Sequence, residues 1–348
     1  MPSLISVVVN AYINDKFLPE ALGSVLDQEY EGDFELIVLS PRPGFTATQP
    51  ILKKASDRGI RLQIVEVPPG PVGLGLDQGV RAARGDVIAL LDDDDLWEPG
   101  KLASIEGAFR DSQVVYFHNS QTFVDEQNRP LSQFNIHRLV RHPASRLASG
   151  KGVFIDSSNP AKLARCRAFE PDFNNSSITI GKTVLQAHLE SARRVTQGED
   201  TFLYYCALAS RGTLVITTDR LTRYRIHQRG KTAAGSAIHD RSGRLEKYME
   251  NALGQQHRLQ LVREDILKFA IPEVESSLNS DQAFWATMCS VANGSLKRGE
   301  ASSRTRILLG DTYARPRSRE LIAVALGWLG ACFPRVAQTG FSIWRGVW

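Results

Sequence analysis

The chain has 348 residues, of which 42% are hydrophobic and 23% charged, with a formal net charge of +4. That is an ordinary globular composition, sufficient for two domains or for one large domain with an appendage. The mild positive charge comes with no aromatic-basic recognition motif, which argues against nucleic acid as a partner, and no apolar run reaches the roughly 20 residues that a membrane-spanning helix needs.

The predicted elements alternate from the start. Leu4–Val9 is a β-branched strand, and Phe17–Leu26 follows with helical spacing of Leu18, Ala21, Leu22 and Val25. Phe34–Leu39 is a second strand, closed by Ser40-Pro41-Arg42-Pro43-Gly44, and Thr48–Arg58 reads as helix. Leu62–Val67 is a third strand ended by Pro68-Pro69-Gly70, Gly75–Ala83 a helix, and Val87–Leu91 a fourth strand. Such βα alternation predicts a mostly parallel sheet with helices on both faces. Lys101–Arg110 is the next helix, and Val114–Phe117 and Thr122–Val124 read as separate strands. Residues 135–175 are polar and irregular, with a short helix expected from Pro160 behind Asn159. Ser177–Ile180 reads as strand, Thr201–Ala209 as helix, and Thr213–Thr217 and Arg220–Arg225 as two further strands. Beyond Thr232 the pattern is helical: Leu245–Leu253, Leu259–Phe269, Phe284–Leu296 and Leu321–Leu329.

Four cysteines (Cys166, Cys206, Cys289 and Cys332) lack paired metal spacing and read as reduced thiols of a cytoplasmic protein. The opening Met1-Pro2-Ser3-Leu4 enters a strand directly, so no signal peptide is expected.

The most informative feature is the run Asp92-Asp93-Asp94-Asp95, directly after the apolar strand Val87–Leu91 and before Leu96-Trp97-Glu98-Pro99. Four adjacent carboxylates repel one another unless a cation or hydrogen-bond donors neutralise them. Pro99 suits the first turn of a helix, so the acids lie on a loop at the carboxyl end of a strand, where open α/β sheets bind ligands. An all-oxygen cluster favours Mg²⁺ or Mn²⁺, ions that in enzymes usually also hold substrate phosphates.

Several stretches together resemble the family 2 glycosyltransferases, which have a GT-A fold. They are Ile5–Tyr12, the helix around Ser24-Val25-Leu26-Asp27-Gln28, the segment Ala83–Leu102 that holds the acidic run, Gly198-Glu199-Asp200, and Tyr224-Arg225-Ile226-His227. The resemblance implies an α/β, Rossmann-like GT-A catalytic domain over residues 1–232, with a helical C-terminal extension over 233–348. It implies transfer of a sugar, with inversion, from a nucleotide-sugar donor to a hydroxyl of a glycan or lipid-linked saccharide. Asp94 is then the expected direct metal ligand, with Asp92 and Asp93 facing the sugar and ribose or reaching the metal through water. Asp95 is either part of this set or a cap of the following helix.

By the same resemblance Asp200 is the expected general base, with Glu199 beside it, although both also fit as first-turn acids complementing a helix dipole. Asn10, Tyr12 and Asp77 are candidates for the nucleotide pocket. Arg225 and His227, with Arg229 and Lys231, form a basic cluster that is either a solvated loop or one that approaches the pyrophosphate or the metal once a mobile loop closes. Asn174-Asn175-Ser176-Ser177 resembles a segment near the acceptor side. Two departures fall in the nucleotide pocket. Ser40-Pro41-Arg42 stands where the family commonly has an acidic pair, and Leu76-Asp77 where it often has Arg-Asn, so the donor base is open. The Ser40-Pro41-Arg42 loop also keeps open a catalytically silent, nucleotide-sugar-binding subunit. A nucleotidyltransferase is disfavoured, since the first strand runs into Asn10-Ala11-Tyr12 rather than a Gly-rich phosphate loop. The arginine-rich C-terminal stretch with Trp344 and Trp348 suits either packing in an oligomer or peripheral contact with the inner face of a membrane.

Overall fold

The computed structural model describes residues 4–11, 16–41, 49–131, 153–156, 171–227, 253–266, 272–292, 294–309 and 318–332. The chain divides into two compact units, one of Met1–Leu131, His142–Asn159 and Phe169–Arg225, the other of Ser132–Arg141, Pro160–Ala168 and Ile226–Trp348.

The first unit is built on one sheet. Its strands are β1 (Ile5–Asn10), β2 (Phe34–Ser40), β3 (Arg61–Glu66), β4 (Val87–Asp92), β5 (Leu96–Trp97), β6 (Val114–Val124), β7 (Val153–Asp156), β8 (Ile178–Gly181) and β9 (Thr213–Arg225). The order is β3-β2-β1-β4-β8-β6-β9-β5, with β7 on β9. The block β3-β2-β1-β4 is parallel, as the alternation predicts, and β8 then inserts antiparallel between β4 and β6. Helices α1 (Leu18–Leu26), α2 (Gln49–Asp57) and α3 (Val72–Ala82) make the crossovers, and α4 (Lys101–Ala108) follows the acidic loop. Helix α1 buries Leu18, Ala21, Leu22, Val25 and Leu26, the stripe its spacing calls for, against Val7, Val9, Leu36 and Leu91 of the sheet core. The turn into β4 requires Gly85, because a Cβ there would stand 2.5 Å from the Leu4 carbonyl oxygen.

Two expectations are corrected. The two short strands at 114–124 are one strand, and so are the two at 213–225; they pair in parallel along their whole length, with register irregularities around Asn119 and Ser120. The residues that read as an interruption, His118, Asn119, Ser120 and Gln121, are polar but buried, so polarity here marks a polar layer inside the sheet rather than a loop. Strand β7 lies within a stretch expected to be irregular, and the helix expected from Pro160 lies outside the described residues. Helices α5 (Lys182–Gln186) and α6 (Leu189–Ala192) are too short to show a period; α7 (Glu199–Ala209) starts two residues earlier than expected.

In the second unit a helix over residues 253–261 continues into a π turn at Val262–Ile266. Helices α9 (Pro272–Ala292), α10 (Arg298–Leu309) and α11 (Ser318–Cys332) pack around Phe284, Met288, Val291, Leu296, Leu308, Ala323 and Leu326, the helix over 253–261 being α8. Arg263 ties the π turn to α9 through Asn279 and Gln282. The described residues here are helical, as expected, with α10 the helix its weak periodicity hid and α9 beginning twelve residues before the expected Phe284; the helix expected over Leu245–Leu253 falls, but for its last residue, outside the described residues. No helix among the described residues is long and apolar enough to cross a membrane. Cys206 and Cys289 are buried free thiols, and Cys332 is a half-buried one.

Candidate active site

Strand β4 buries Val87–Leu91 completely, and its last residue, Asp92, sits beside Asn10, the end of β1. The chain then turns, with the Asp95 amide pointing back to the Asp92 carbonyl at 3.4 Å. The turn brings carboxylate oxygens of Asp92, Asp94 and Asp95 within 4.8 Å of one another. Asp92 and Asp94 are half-buried, whereas Asp93 and Asp95 are buried.

Asp95 does not cap a helix. Gly100 precedes α4, with no side-chain cap, and Asp95 turns inward. Its Oδ1 accepts the Arg225 amide at 2.9 Å, and its Oδ2 accepts Asn174 Nδ2 at 2.8 Å and the Ser176 hydroxyl at 2.6 Å. Burial pushes its carboxyl up to about 7, and the neighbouring Asp94 adds to the rise, against the three hydrogen bonds. Lys101 is buried nearby. Its ammonium lies 4.5 Å from the Trp97 ring centre and donates to the Ser176 carbonyl and to Thr222 Oγ1. Burial depresses the Lys101 ammonium well below its ordinary range, with the charge of Asp95 opposing.

Helix α1 clasps the segment that follows the acids. Ser24 Oγ accepts the Trp97 amide, and the Gln28 side chain donates to the Glu98 carbonyl and accepts the Leu102 amide. The Ser24–Gln28 stretch is therefore needed to place the loop. Arg225 braces it from the other side. Its guanidinium, 1% exposed, donates to the Asp94 and Glu126 carbonyls and the Glu20 carboxylate, and lies over the Phe17 ring. In these contacts the guanidinium holds the acidic loop to α1 and to the end of β6. His227 is 5% exposed and belongs to the second unit's share of the chain; the acidic group of Asp92, Asp94 and Asp95 does not include it.

The other candidates are placed as follows. Asn10 ends β1 beside Asp92. Asp77, on α3, is 1% exposed and paired with Arg81 at 2.9 Å and Arg193 at 3.9 Å. Tyr12 lies outside the described residues. Glu199 and Asp200 are half-buried and open α7 behind Gly198, whose φ of 70° is left-handed and suits glycine. Asp200 Oδ1 accepts the Thr201 amide at 2.8 Å, and the Thr201 hydroxyl donates to Asp172 at 2.9 Å.

The sequence reading missed Lys101, Thr201, Asp172 and the central part of Ser176, having treated Asn174–Ser177 as only near the acceptor side. A polar Asn-Asn-Ser-Ser run entering the apolar strand Ile178–Ile180 was the available signal. A buried polar run needs partners, and the acidic loop is a set in need of donors.

These features, a parallel β3-β2-β1-β4 block with acids at the carboxyl end of β4, define an α/β domain of the GT-A kind. Residues 6–171, just under half of the chain, match the model of glycosyl transferase family 2. An uncharacterized glycosyltransferase of Nostoc sp. is 27% identical over 129 residues, 37% of this chain and 40% of that protein. The chain's matches span less than half the length of the curated relatives. The fold is shared with S. aureus TarS 1-349 in complex with UDP-GlcNAc (TM-score 0.52, 15% identity, 99% of this chain and 90% of that one). It is shared also with the mannosyltransferase PcManGT of Pyrobaculum calidifontis in complex with GDP-Man and Mn²⁺ (TM-score 0.55, 15% identity, 99% and 86%).

Proposed function

We propose that this protein is a metal-dependent, inverting glycosyltransferase that moves a sugar from a nucleotide-sugar donor to a hydroxyl of a glycan or lipid-linked saccharide. The observation that carries the reading is the group of three carboxylates within 4.8 Å at the end of β4. Its donor set fits a hard divalent cation. Asp92 and Asp94, the half-buried members of the group, would hold Mg²⁺ or Mn²⁺ together with substrate phosphates, the usual ligation for such ions, while both oxygens of Asp95 accept protein donors. When bound, the ion neutralises the departing pyrophosphate as a Lewis acid. Asn175 Nδ2 meets Asp92 Oδ1 at 3.3 Å and orients that carboxylate. Asp93 and Asn10 are assigned to the sugar-ribose side of the donor.

Asp200 takes the proton from the acceptor hydroxyl, which contributes roughly 10²–10⁴-fold, and Glu199 orients that hydroxyl. Attack on the anomeric carbon from the face opposite the leaving group inverts its configuration. The match of residues 6–171 to the family model supports the transferase reading, as do neighbours solved with UDP-GlcNAc, or with GDP-Man and Mn²⁺. In this reading residues 1–232 are catalytic, and the helices beyond them serve acceptor, oligomer or peripheral membrane contact. Leu253, Ile307, Leu309 and Trp328 are the exposed large apolar residues available for such contact among those described.

The test is a thermal-shift screen of UDP- and GDP-sugars with and without Mn²⁺, on wild type and Asp94→Ala. A ligand at 100 times its Kd stabilises the folded state by about 2.7 kcal/mol. The expected result is a metal-dependent shift for one donor that Asp94→Ala loses. A shift that is equal with and without metal, and unchanged in Asp94→Ala, sinks the metal assignment. Binding without turnover of any acceptor favours the silent subunit.

A further inference from the structure

Residues 172–176 touch both sides of the candidate site. On the metal side, Ser176 Oγ donates to Asp95 Oδ2 at 2.6 Å and accepts the Asp92 amide at 3.0 Å. Its carbonyl receives Trp97 Nε1 at 2.9 Å, Thr222 Oγ1 at 3.2 Å and the Lys101 ammonium. Asn175 holds the Asp92 carboxylate and Asn174 the Asp95 carboxylate. On the base side, Asp172 holds the hydroxyl of Thr201, whose amide is bonded to Asp200.

The backbone between these ends is not relaxed. Asn174 adopts φ 68° and ψ 115°, a left-handed region unfavourable to a residue with a Cβ. Strain of this kind persists only where the surroundings over-determine it, and it clusters at functional sites. Here the surroundings are visible: the Asn174 amide donates to Asp95, and its oxygen accepts the Ser177 hydroxyl at 3.1 Å. Ser176 and Ser177 are completely buried. A short segment bonded at both ends transmits position better than a loop anchored at one.

We propose that Asp172–Ser176 is a positioning strap that sets the acidic loop of Asp92–Asp95 against the opening turn of α7, with Ser176 its main joint. The assignment rests on the transferase reading above, in which Asp92 and Asp94 face the metal and Asp200 is the base. In this assignment the strap residues act through the carboxylates and the hydroxyl they hold. Two separable effects follow. Loosening the Ser176 end disturbs the metal-facing carboxylates, and loosening the Asp172–Thr201 end disturbs the base.

The experiment uses the full chain, with Mn²⁺ affinity read by electron paramagnetic resonance in the presence of UDP or GDP, and kcat and KM read with the donor selected in the thermal-shift screen. Ser176→Ala is expected to weaken Mn²⁺ binding about tenfold or more, as loss of a group behind a metal ligand commonly does. Thr201→Val is expected to keep Mn²⁺ affinity and donor KM while lowering kcat about 10- to 100-fold, the cost of a base displaced by a fraction of an ångström to one ångström; Thr201→Ser restores kcat. If Ser176→Ala does not fold, Asn175→Ala decides, with Mn²⁺ affinity expected to fall several-fold, about half the logarithmic effect of the serine change. Folded variants that bind Mn²⁺ as tightly as wild type, or a Thr201→Val enzyme with unchanged kcat, overturn the strap and leave the transferase reading standing. A wild type that takes no donor and no Mn²⁺ overturns the transferase reading, and the strap with it.

Discussion

Two buried carboxylates at opposite ends of the strands have been given opposite surroundings. Glu35, 1% exposed at the entry to β2, meets the Arg61 guanidinium, the Ser6 hydroxyl at 2.7 Å and the Arg84 amide at 2.6 Å. Burial pushes its carboxyl up, but the hydrogen bonds from Arg84, Ser6 and Arg61 and the Arg61 charge outweigh it and hold it below its ordinary range. Asp95, equally buried at the exit of β4, has neutral donors and another acid for a neighbour, and is pushed up to about 7. The first arrangement stabilises a charge for the fold. The second sets a carboxyl that burial and a neighbouring acid push toward its neutral form beside two half-buried acids, Asp92 and Asp94.

The contrast can be broken first at the chemistry. Asp200→Asn is expected to lower turnover by about 10²–10⁴-fold while leaving the donor-induced thermal shift intact; an enzyme with full turnover would remove Asp200 from the base role. Next comes the fold at the same end. Asp95→Ala strips partners from Asn174, Ser176 and the Arg225 amide, and buried groups left unpaired cost about 1–3 kcal/mol each. A loss of about 3 kcal/mol or more in denaturant unfolding is expected, whereas Asp95→Asn, which keeps an acceptor, should lose less than half of that.

At the other end, Glu35→Gln is expected to cost about 1–3 kcal/mol at pH 7. Because the folded-state carboxyl is held below its unfolded value, that contribution is present above pH ~4.3 and is lost as pH falls through the folded value. The gap between wild type and Glu35→Gln in urea midpoints should therefore close in acid. Asp95 has the reverse sign. Its raised carboxyl favours folding below pH ~3.9, and the benefit is lost as pH rises to about 7, so metal-free Asp95→Asn should lack that slope. The smallest effect is expected at Arg223. It pairs with Glu98 through two bonds of 2.7 and 3.0 Å, yet it is about a third exposed. Removing it as Arg223→Met should cost under about 1 kcal/mol.

Much of the fold was legible because its signals are local. Apolar β-branched runs gave β1, β2 and β4, and the 3–4 spacing of Leu18, Ala21, Leu22 and Val25 gave α1. The length of β6 and β9 was not legible. His118–Gln121 have no apolar signature, and they lie within a strand because β9 pairs with all four and β8 with His118. For the site, Asp92–Asp95 announced themselves as an improbable run of like charges. Lys101 did not, since a lone lysine in a helix usually points to water; its burial depends on Trp97, Ser176 and Thr222 arriving from three separate stretches of chain.

By itself, then, the sequence determined the alternating order of strands and helices, the place of the acids after a buried strand, and the family those motifs resemble, because each rests on residues adjacent in the chain or one helical turn apart. Only the tertiary structure decided which acids face outward and which is locked in the core, and that Arg225 braces the loop. It alone brought Asn174–Ser176 under the Asp92–Asp95 turn, some 80 residues away in sequence. The reason is physical: a carboxylate's role is set by the donors and charges around it, and those converge only when distant segments pack.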